Sequence, residues 1–477
     1  MYYDGKIFIQ QIKNIEEFMS LADLFNQVEN LKEEIIQLEQ DLIKIPSVNT
    51  GFMPTGNETE VCNFIQKWLN QFDIKSEILA LDPKRGNLIA TLNGTSNKLG
   101  LLFMSHLDVV PVEDENKWDY APFGGEIFND RIYGRGATDC KGLLTCQLMA
   151  LRLLKQNNIK LKNGLSLISG ADEEHGGRYG FEWLAKNFPE KLNAPYAINE
   201  GGGTPIDSAG ALNYMLGVGE KGRLQVEFTI KGSSAHASVP WQGKNALYAL
   251  SKLLTNIEKY DAERDTNTSL FDHLSSFAIE HKPDQSNIDE IIEDQSKNNP
   301  RFSSILKALS RMTITPTMVN GGIKSNSVPE TISLTCDVRT LPHQSDEYLS
   351  KEIEKIIHDI PDITYEIDYM AVPNSSVFET DLTNAISKAT KNALNRDDIN
   401  VIPYISTGFT DSRFTRELGV TTYGYSGSDP SDDPMLGNAH GTNESIGINS
   451  LISGTKIMVQ VAIELLCDQN EINTIYR

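Results

Sequence analysis

Apolar residues in the first half of the chain form short continuous runs that alternate with helix-spaced stripes. Residues 99–107 and 164–171 are short apolar runs, which are typical of buried strands. Residues 141–156 lie between them and have helical spacing, and residues 195–201 form a third short run. This order of strands and helices predicts a mainly parallel sheet with helices on both faces.

The pattern changes near residue 217. Residues 223–232 and 331–340 alternate apolar and polar side chains, as half-exposed antiparallel strands do. A helical pattern covers 244–260, and the polar stretch 261–311 is typical of loops around helices. This part of the chain therefore predicts α+β structure rather than a continuation of the first sheet.

The length and the two ends of the chain indicate how these parts are organised. A chain of 477 residues is too long for one ordinary core, and two domains are expected. Helix-spaced apolar residues at 29–45 and 450–466 predict long helices near both ends. We expect an α/β domain formed by 1–216 and 339–477, with an α+β domain inserted at 217–338.

Composition and charge exclude several kinds of partner. Hydrophobic residues make up 39% of the chain and charged residues 23%, which is typical of a globular protein. The formal net charge of −22 argues against nucleic acid and against an anionic membrane surface as partners. The five cysteines have no CxxC spacing, which favours buried thiols in a reducing compartment over a disulfide framework.

The N-terminal segment does not have the pattern of a signal peptide. Residues 1–20 carry charges within their apolar part and lack a cleavage site of small residues. The chain also has no run of about eighteen apolar residues, so that we expect no membrane span. We therefore expect the protein to lie in the cytoplasm.

Side chains that can bind metals or carry protons follow the predicted strands. His106 and Asp108 form an H-x-D at the end of the first run, and positions i and i+2 of a strand face the same side. Asp108 can therefore receive a ring N–H of His106 and fix its tautomer. Asp139 lies in GRGATDCKG (134–142), where its carboxylate can bridge two cations, cap the following helix, or do both.

More acidic and imidazole side chains complete this set. Glu173 and Glu174 directly follow the second apolar run, where one can ligate a cation while the other acts as a base. Glu200 follows the third run, and His440 lies in GNAHGTNES (437–445). The ordered set is typical of a dinuclear metallohydrolase.

Two neighbouring residues have other interpretations. Cys140 adjoins Asp139 and could itself be a soft metal ligand, although the aspartate better suits a hard hydrolytic metal. His175 directly follows Glu174, and we expect it to be exposed or to lie behind the ligands.

The motifs together resemble the metallopeptidase family that includes aminoacylase, acetylornithine deacetylase, succinyl-diaminopimelate desuccinylase and carboxypeptidase G. The resemblance covers roughly residues 30–466 in family order. The matching runs are SHLDVVP, APFGGEI, IYGRGATDCKG, ADEEHGG, INEGG, GSSAHASVP and GNAHGTNE. The resemblance implies that the larger domain is catalytic and that the inserted domain is a lid and dimerisation domain.

The same resemblance implies two divalent metal ions that share one ligand. His106, Asp139 and Glu200 would hold the first ion, and Asp139, Glu174 and His440 would hold the second. Zn²⁺ is the expected metal, and Co²⁺ and Mn²⁺ suit such ligands as well. The resemblance also implies a cis peptide bond after Asp139.

Three further residues receive catalytic roles from the resemblance. Asp108 would orient the ligating His106, and Glu173 would be the general base for a water molecule that the cations activate. His236, in GSSAHASVP, would reach over the active site and stabilise the oxyanion. A loop histidine without a role is the structural alternative for His236.

Substrate contacts are implied at four positions. Asn326 and Arg339 match polar residues that contact substrate in relatives, and Arg339 could bind a substrate carboxylate bidentately or be simply solvated. Gly408 and Asp411 lie in STGFTDSRF (406–414), which resembles a substrate loop of the family.

The expected reaction is hydrolysis of an amide bond in an N-acyl amino acid or small peptide, as in deacylases and carboxypeptidases. A dipeptidase or broader exopeptidase is the alternative enzyme, and an inactive binding relative would have lost Glu173 or a ligand. The resemblance implies a homodimer through the inserted domain. The long 261–311 segment leaves open whether this dimer forms and whether His236 acts in its own chain or in its partner.

Overall fold

A computed structural model of the chain describes residues 19–208 and 210–476. The prediction that the N-terminus is not a signal peptide falls on residues 1–18, which lie outside the described residues. The α-helices of the described ranges are α1 Leu21–Asn30, α2 Lys32–Ile43, α3 Glu58–Asn70, α4 Gly142–Gln156, α5 Phe181–Asn187, α6 Ala246–Lys259, α7 Ile288–Asn298, α8 Pro300–Leu309, α9 Asp346–Ile357, α10 Asp381–Leu394, α11 Ser412–Glu417, α12 Ile448–Leu466 and α13 Gln469–Ile475.

The strands follow the same chain order. They are β1 Ser76–Ala80, β2 Gly86–Leu92, β3 Leu99–His106, β4 Glu126–Phe128, β5 Arg131–Tyr133, β6 Gly164–Gly170, β7 Tyr196–Asn199, β8 Pro205–Ser208, β9 Ala211–Glu220, β10 Arg223–Lys231, β11 Thr313–Gly321, β12 Thr331–Arg339, β13 Ile363–Ala371, β14 Asn374–Ser375, β15 Ile399–Ser406, β16 Thr421–Gly424 and β17 Ser445–Gly447. The predicted strands are confirmed as β3, β6, β7, β10 and β12, and the predicted helices as α2, α4, α6 and α12.

The largest sheet is mixed, which corrects the prediction of a mainly parallel sheet. Its strands follow the order β1-β2-β6-β3-β7-β16-β9-β14, with β8 and β15 also paired to β9. Its centre, from β6 to β16, is parallel, whereas β1, β2, β8 and β14 pair antiparallel with their neighbours. A short loop joins β1 to β2, and strands joined in this way pair antiparallel.

Helices α4 and α12 pack together against this sheet. Both are apolar around most of their circumference, and nearly all of α4 is buried. Gly454 permits their close approach, because a Cβ there would lie 2.8 Å from the Cys146 sulfur. The resulting core includes residues from Leu21 to Ile475 and holds the parallel strands β3, β6 and β7 in place.

A second, antiparallel sheet has the order β11-β12-β10-β13. One face carries the apolar side chains of β10 and β12 and packs against α6 and α9 in a separate core. The fourth strand, β13, pairs with β10 although it lies beyond the predicted insertion of 217–338. The exact bounds of an inserted domain stay a prediction.

The long segment 261–311 packs on the larger core and not on the core of the second sheet. Phe271, Phe277 and Phe302 belong to the same apolar cluster as the strands of the larger sheet. The buried Lys221 Nζ donates to the carbonyl oxygens of Ala308 and Arg311, at 2.6 and 2.9 Å. The segment therefore crosses from the second sheet to the first and returns.

One expectation from composition concerns the cysteines. All five cysteines are free and buried, as their spacing predicts. Among residues 19–208 and 210–476, no helix combines the length and hydropathy needed for a membrane span.

Candidate functional site

The parallel strands place the candidate ligands at one edge of the larger sheet. His106 is the last residue of β3, Glu173 and Glu174 follow β6, and Glu200 follows β7. The carboxyl ends of parallel strands meet at the same sheet edge, where ligand sites of α/β proteins are commonly found. The three strand ends therefore bring distant sequence motifs together.

Asp139 lies between two histidines. Its Oδ1 is 2.8 Å from His106 Nε2, and its Oδ2 is 3.1 Å from His440 Nε2. The peptide bond between Asp139 and Cys140 is cis, as the family resemblance implies. Although burial acts in the opposite direction, hydrogen bonds from the two histidines hold the pKa of Asp139 well below its usual range.

The other two carboxylates divide between these histidines. Glu200 Oε1 lies 3.6 Å from His106 Nε2, and Glu174 Oε2 lies 3.0 Å from His440 Nε2. The five side chains proposed from sequence as metal ligands are thus together in two overlapping groups that share Asp139.

Cys140 lies beside the same cluster. Its sulfur, together with His106 and Glu200, offers ligand atoms within 4.8 Å of one another. However, the sulfur accepts the main-chain N–H of His106 at 3.1 Å, and burial raises the pKa of the thiol to about 12. The sulfur is thus already engaged by the backbone of His106, and carboxylate oxygens suit a hard hydrolytic metal better than a thiol does.

Asp108 contacts His106 in a different way from the one expected. The ring Nδ1 of His106 lies 3.0 Å from the main-chain oxygen of Asp108 and 3.6 Å from its carboxylate. The carboxylate instead accepts the N–H groups of Glu173 and Glu174, at 3.1 and 3.2 Å. The backbone of Asp108 therefore contacts the His106 ring, and its side chain contacts the backbone of the acidic pair.

Glu173 is buried beside the five candidate ligands but forms no ion pair with their histidines in the described part of the chain. It is 8% exposed, and burial together with the charge of Glu200 raises its pKa well above the usual range. Glu173 is therefore a buried carboxyl group directly next to the candidate ligand Glu174. The neighbouring His175 is exposed, in agreement with one of the two expectations.

Glu444 is a part of the site that the sequence patterns did not identify. It is fully buried and accepts the N–H groups of Gly136, Thr138 and Asp139 at 2.9–3.0 Å, and Arg135 Nη1 at 2.6 Å. It thereby fixes the loop that carries Asp139. It is the last residue of the run GNAHGTNE (437–444), in which only His440 received a role from the sequence.

His236 and Asn326 lie together at an exposed part of the second sheet. The Ala237 N–H donates to the main-chain oxygen of Asn326 at 3.0 Å. His236 and Ser327 pair through their backbones as an isolated antiparallel β-bridge. His236 Nδ1 is 2.7 Å from Ser238 Oγ. Among the hydrogen bonds and ion pairs of the described residues, none joins His236 to the five candidate ligands.

Arg339 and Gly408 lie near each other but are differently engaged. Arg339 uses Nε and Nη2 to donate to the Asp337 carboxylate, at 2.7 and 3.2 Å, and Nη1 to donate to the Thr407 oxygen at 2.9 Å. A substrate carboxylate would therefore compete with Asp337 for this guanidinium. Gly408 is exposed, whereas Asp411 is only 2% exposed.

The electrostatics of the cluster fit divalent cations. In the described part of the chain, no lysine or arginine forms an ion pair with Asp139, Glu174 or Glu200. Burial and the charge of Asp139 raise the pKa of Glu200 to about 7. The buried Oε1 of Glu174 has no hydrogen-bond partner within the described residues. Buried carboxylates in such a cluster need compensating positive charge, which divalent metal ions supply.

The fold and this cluster define a metal-dependent hydrolase. The model of Peptidase family M20/M25/M40 matches residues 102–464. The chain therefore belongs to this peptidase family, and it is a metallohydrolase that acts on amide bonds of peptides or acyl amino acids.

Similar proteins include enzymes from bacteria and archaea. A probable succinyl-diaminopimelate desuccinylase of Staphylococcus aureus is 28% identical over 386 residues, which cover 80% of this chain and 86% of that protein. The M20 metallo-carboxypeptidase Sso-CP2 of Sulfolobus solfataricus has a TM-score of 0.68 at 22% identity, covering 91% and 99% of the two chains. The Bacillus subtilis YXEP protein, described as a dinuclear metal binding peptidase, has a TM-score of 0.60 at 14% identity, covering 91% and 98%.

Proposed function

We propose that the protein is a dinuclear metal-dependent hydrolase that cleaves the amide bond of an N-acyl amino acid or small peptide. The observation that carries the proposal is the position of Asp139, whose two oxygens face His106 and His440 at 2.8 and 3.1 Å. A carboxylate in this position can bridge metal ions about 3.5–4 Å apart. The relative described as a dinuclear metal binding peptidase agrees with this arrangement.

The proposed ligands form two sets. His106, Asp139 and Glu200 would hold one ion, and Asp139, Glu174 and His440 would hold the other. When bound, divalent ions would polarise the amide carbonyl and lower the pKa of a water molecule. We propose zinc, with cobalt or manganese as alternatives, because nitrogen and carboxylate ligands suit all three.

The remaining residues move protons and hold the ligands in place. Glu173 takes a proton from the attacking water and delivers it to the nitrogen of the leaving amine. Asp108 keeps Glu173 in position through the N–H bond described above, and Glu444 holds the Asp139 loop. The buried position of Glu173 keeps bulk water away from the proton that it carries.

We further propose that the second sheet forms the lid of the active site. His236 would stabilise the oxyanion, and Asn326, Arg339 and Gly408 would contact the substrate. Ser238 engages Nδ1 of His236, which leaves Nε2 as the nitrogen to face a substrate oxygen. The cytoplasm remains the proposed location.

The metal-loaded protein is expected to release free amino acid from N-acetyl or N-succinyl amino acids. Dipeptides are the competing substrates, because dipeptidases share the fold. Liberated amine is measured for each substrate with added Zn²⁺, Co²⁺ or Mn²⁺. Preference for dipeptides over acyl amino acids would select the alternative enzyme, and failure to cleave either class with any metal would contradict the proposal.

The protein is expected to form a homodimer through the edge strand β11. This strand exposes most of its residues, including Met318 and Val319, which are 59% and 62% exposed. Tyr248 of α6 is also exposed, and an open apolar edge favours pairing with a second copy. Because a lysine would place charge on the paired edge, Val319→Lys should shift the mass in light scattering from dimer to monomer.

The control for this experiment is Leu81→Lys, which places the same charge at an exposed leucine of the larger domain. It should leave the dimer intact. A wild-type protein that is monomeric at micromolar concentration, or a Val319→Lys variant that remains dimeric, would rule out this interface.

A further inference from the structure

Asn49, in the loop after α2, joins two buried carboxylates. It is 4% exposed, and its Nδ2 donates to Asp108 Oδ2 at 2.8 Å and to Asp172 Oδ1 at 2.9 Å. Its Oδ1 accepts the Gly51 N–H at 2.9 Å. Because an amide nitrogen has two donor hydrogens, one asparagine satisfies both carboxylates at once. The side chain thus links the end of β3 to the turn that follows β6.

Arg85 holds the same turn from behind. It is 1% exposed, and its Nη2 donates to Asp172 Oδ1 at 2.9 Å and to Glu58 Oε1 at 2.7 Å. Its Nε donates to Glu58 Oε2, also at 2.7 Å. The guanidinium carbon lies 4.9 Å from the centre of the Tyr179 ring. Buried charges persist in a fold when they are paired and hydrogen-bonded, as these are.

Asp172 connects the hydrogen bonds of Asn49 and Arg85 to the backbone of Glu173 and Glu174. It directly precedes Glu173 and has a left-handed backbone, with φ of 69°. Its carbonyl oxygen accepts the N–H groups of His175 and Gly177, at 3.2 and 2.6 Å. A left-handed conformation at a residue other than glycine persists when its surroundings hold it, and here Asn49 and Arg85 do so.

The supporting residues precede the candidate metal ligands in the sequence. Asn49, Glu58 and Arg85 all lie before residue 102, where the match to the family model begins. They contact neither of the two histidines of the cluster through any hydrogen bond within the described residues. They instead bond to Asp108, which accepts the N–H groups of Glu173 and Glu174, and to Asp172, which directly precedes Glu173.

We propose that Asn49 and Arg85 are positioning residues that set the geometry of Glu173 and Glu174 against His106. The inference rests on the proposed function, since it assigns Glu173 as the base and Glu174 as a ligand. Asn49 fixes the distance between the carboxylates of Asp108 and Asp172, and Arg85, which Glu58 holds in place, bonds directly to Asp172. Displacement of this turn would move the base and one ligand together, and small displacements in an active site cost much of the rate.

Asn49→Ser is the decisive substitution. A serine hydroxyl can still accept the Gly51 N–H, but it has one donor hydrogen and cannot bridge Asp108 and Asp172. At saturating metal and substrate, kcat should fall about 10–100-fold, as it does for residues that orient metal ligands, while KM changes little. The visible absorption spectrum of the Co²⁺-loaded variant should also differ from that of the wild type.

A second substitution keeps the test decisive if Asn49→Ser does not fold. Arg85→Lys retains the positive charge but cannot form the forked contacts to Glu58 and Asp172, so that the same loss of kcat is expected. Asn213→Ala is the matched control, because Asn213 is a fully buried asparagine whose side chain bonds to Ser276 and Asn400 and to none of the proposed site residues. This control should retain the wild-type kcat and Co²⁺ spectrum.

The outcomes separate the inference from the function on which it rests. If Asn49→Ser and Arg85→Lys both retain the wild-type kcat and spectrum, the two residues only stabilise the fold, and the inference is wrong. A wild-type protein that neither binds Co²⁺ nor cleaves acyl amino acids or dipeptides would overturn the proposed function first, and the inference with it.

Discussion

Replacing Glu173 with glutamine should lower kcat by about 10³-fold, within the range of about 10²–10⁴ for loss of a general acid–base group. Glutamine keeps the size of the side chain and its hydrogen-bonding capacity but cannot accept the proton of the attacking water. Glu173 is buried, and its main-chain N–H bonds to Asp108 at 3.1 Å. The substitution should therefore leave the fold and the position of the turn unchanged.

The measurement is steady-state hydrolysis of the best acyl amino acid, together with the metal content of the same preparation. Two ions per chain should remain bound, because the proposed ligands are untouched. Glu190→Gln is the control, since Glu190 is an exposed glutamate of the same region and should retain full activity. Full hydrolysis by Glu173→Gln would show that another group is the base.

Replacing Asp139 with alanine should abolish binding of both metal ions at micromolar concentration and lower kcat/KM by about 10³-fold or more. Asp139 is the one proposed ligand that contacts both His106 and His440, so that its loss weakens two sites at once. Metal ions supply several kcal/mol of transition-state stabilisation, and each tenfold in rate corresponds to about 1.4 kcal/mol.

Two variants distinguish loss of the bridging carboxylate of Asp139 from a general loss of folding stability. Asp139→Asn retains one acceptor oxygen and should keep partial metal binding with intermediate activity. Asp41→Ala removes an aspartate at the end of α2 whose ion pair with Lys44, at 3.6 Å, is partly exposed, and it should behave as wild type. Metal content by mass spectrometry after gel filtration distinguishes the variants. An Asp139→Ala protein that still binds two ions would contradict a bridging role.

The apolar pattern predicted the central strands and the helices between them, because these elements are buried on both faces and have distinct periodicities. Since parallel strands share a carboxyl edge, the grouping of His106, Glu174 and Glu200 also followed from sequence order. Asp139 and His440 lie in loops without periodicity, so that their place in this group rested on residue type and on the family motifs.

Other features depend on contacts between distant parts of the chain. The second sheet takes β13 from beyond the expected insertion, and the segment 261–311 packs on the larger core through its phenylalanines. Neither is predictable from local patterns, because an amphipathic pattern shows which face of an element is buried but not against which core that face packs. The role of Asn49 arises from a hydrogen bond to a residue about 60 positions away, which no local motif records. Glu444 lies within a family motif, but its role depends on hydrogen bonds to a loop about 300 positions away.

The central claim is that two metal ions lie on either side of Asp139. Anomalous diffraction from crystals of hydrolytically active, zinc-loaded protein tests it most directly. We expect two zinc peaks, one contacting His106, Asp139 and Glu200 and the other contacting Asp139, Glu174 and His440. A single peak, or peaks that do not contact Asp139, would contradict it.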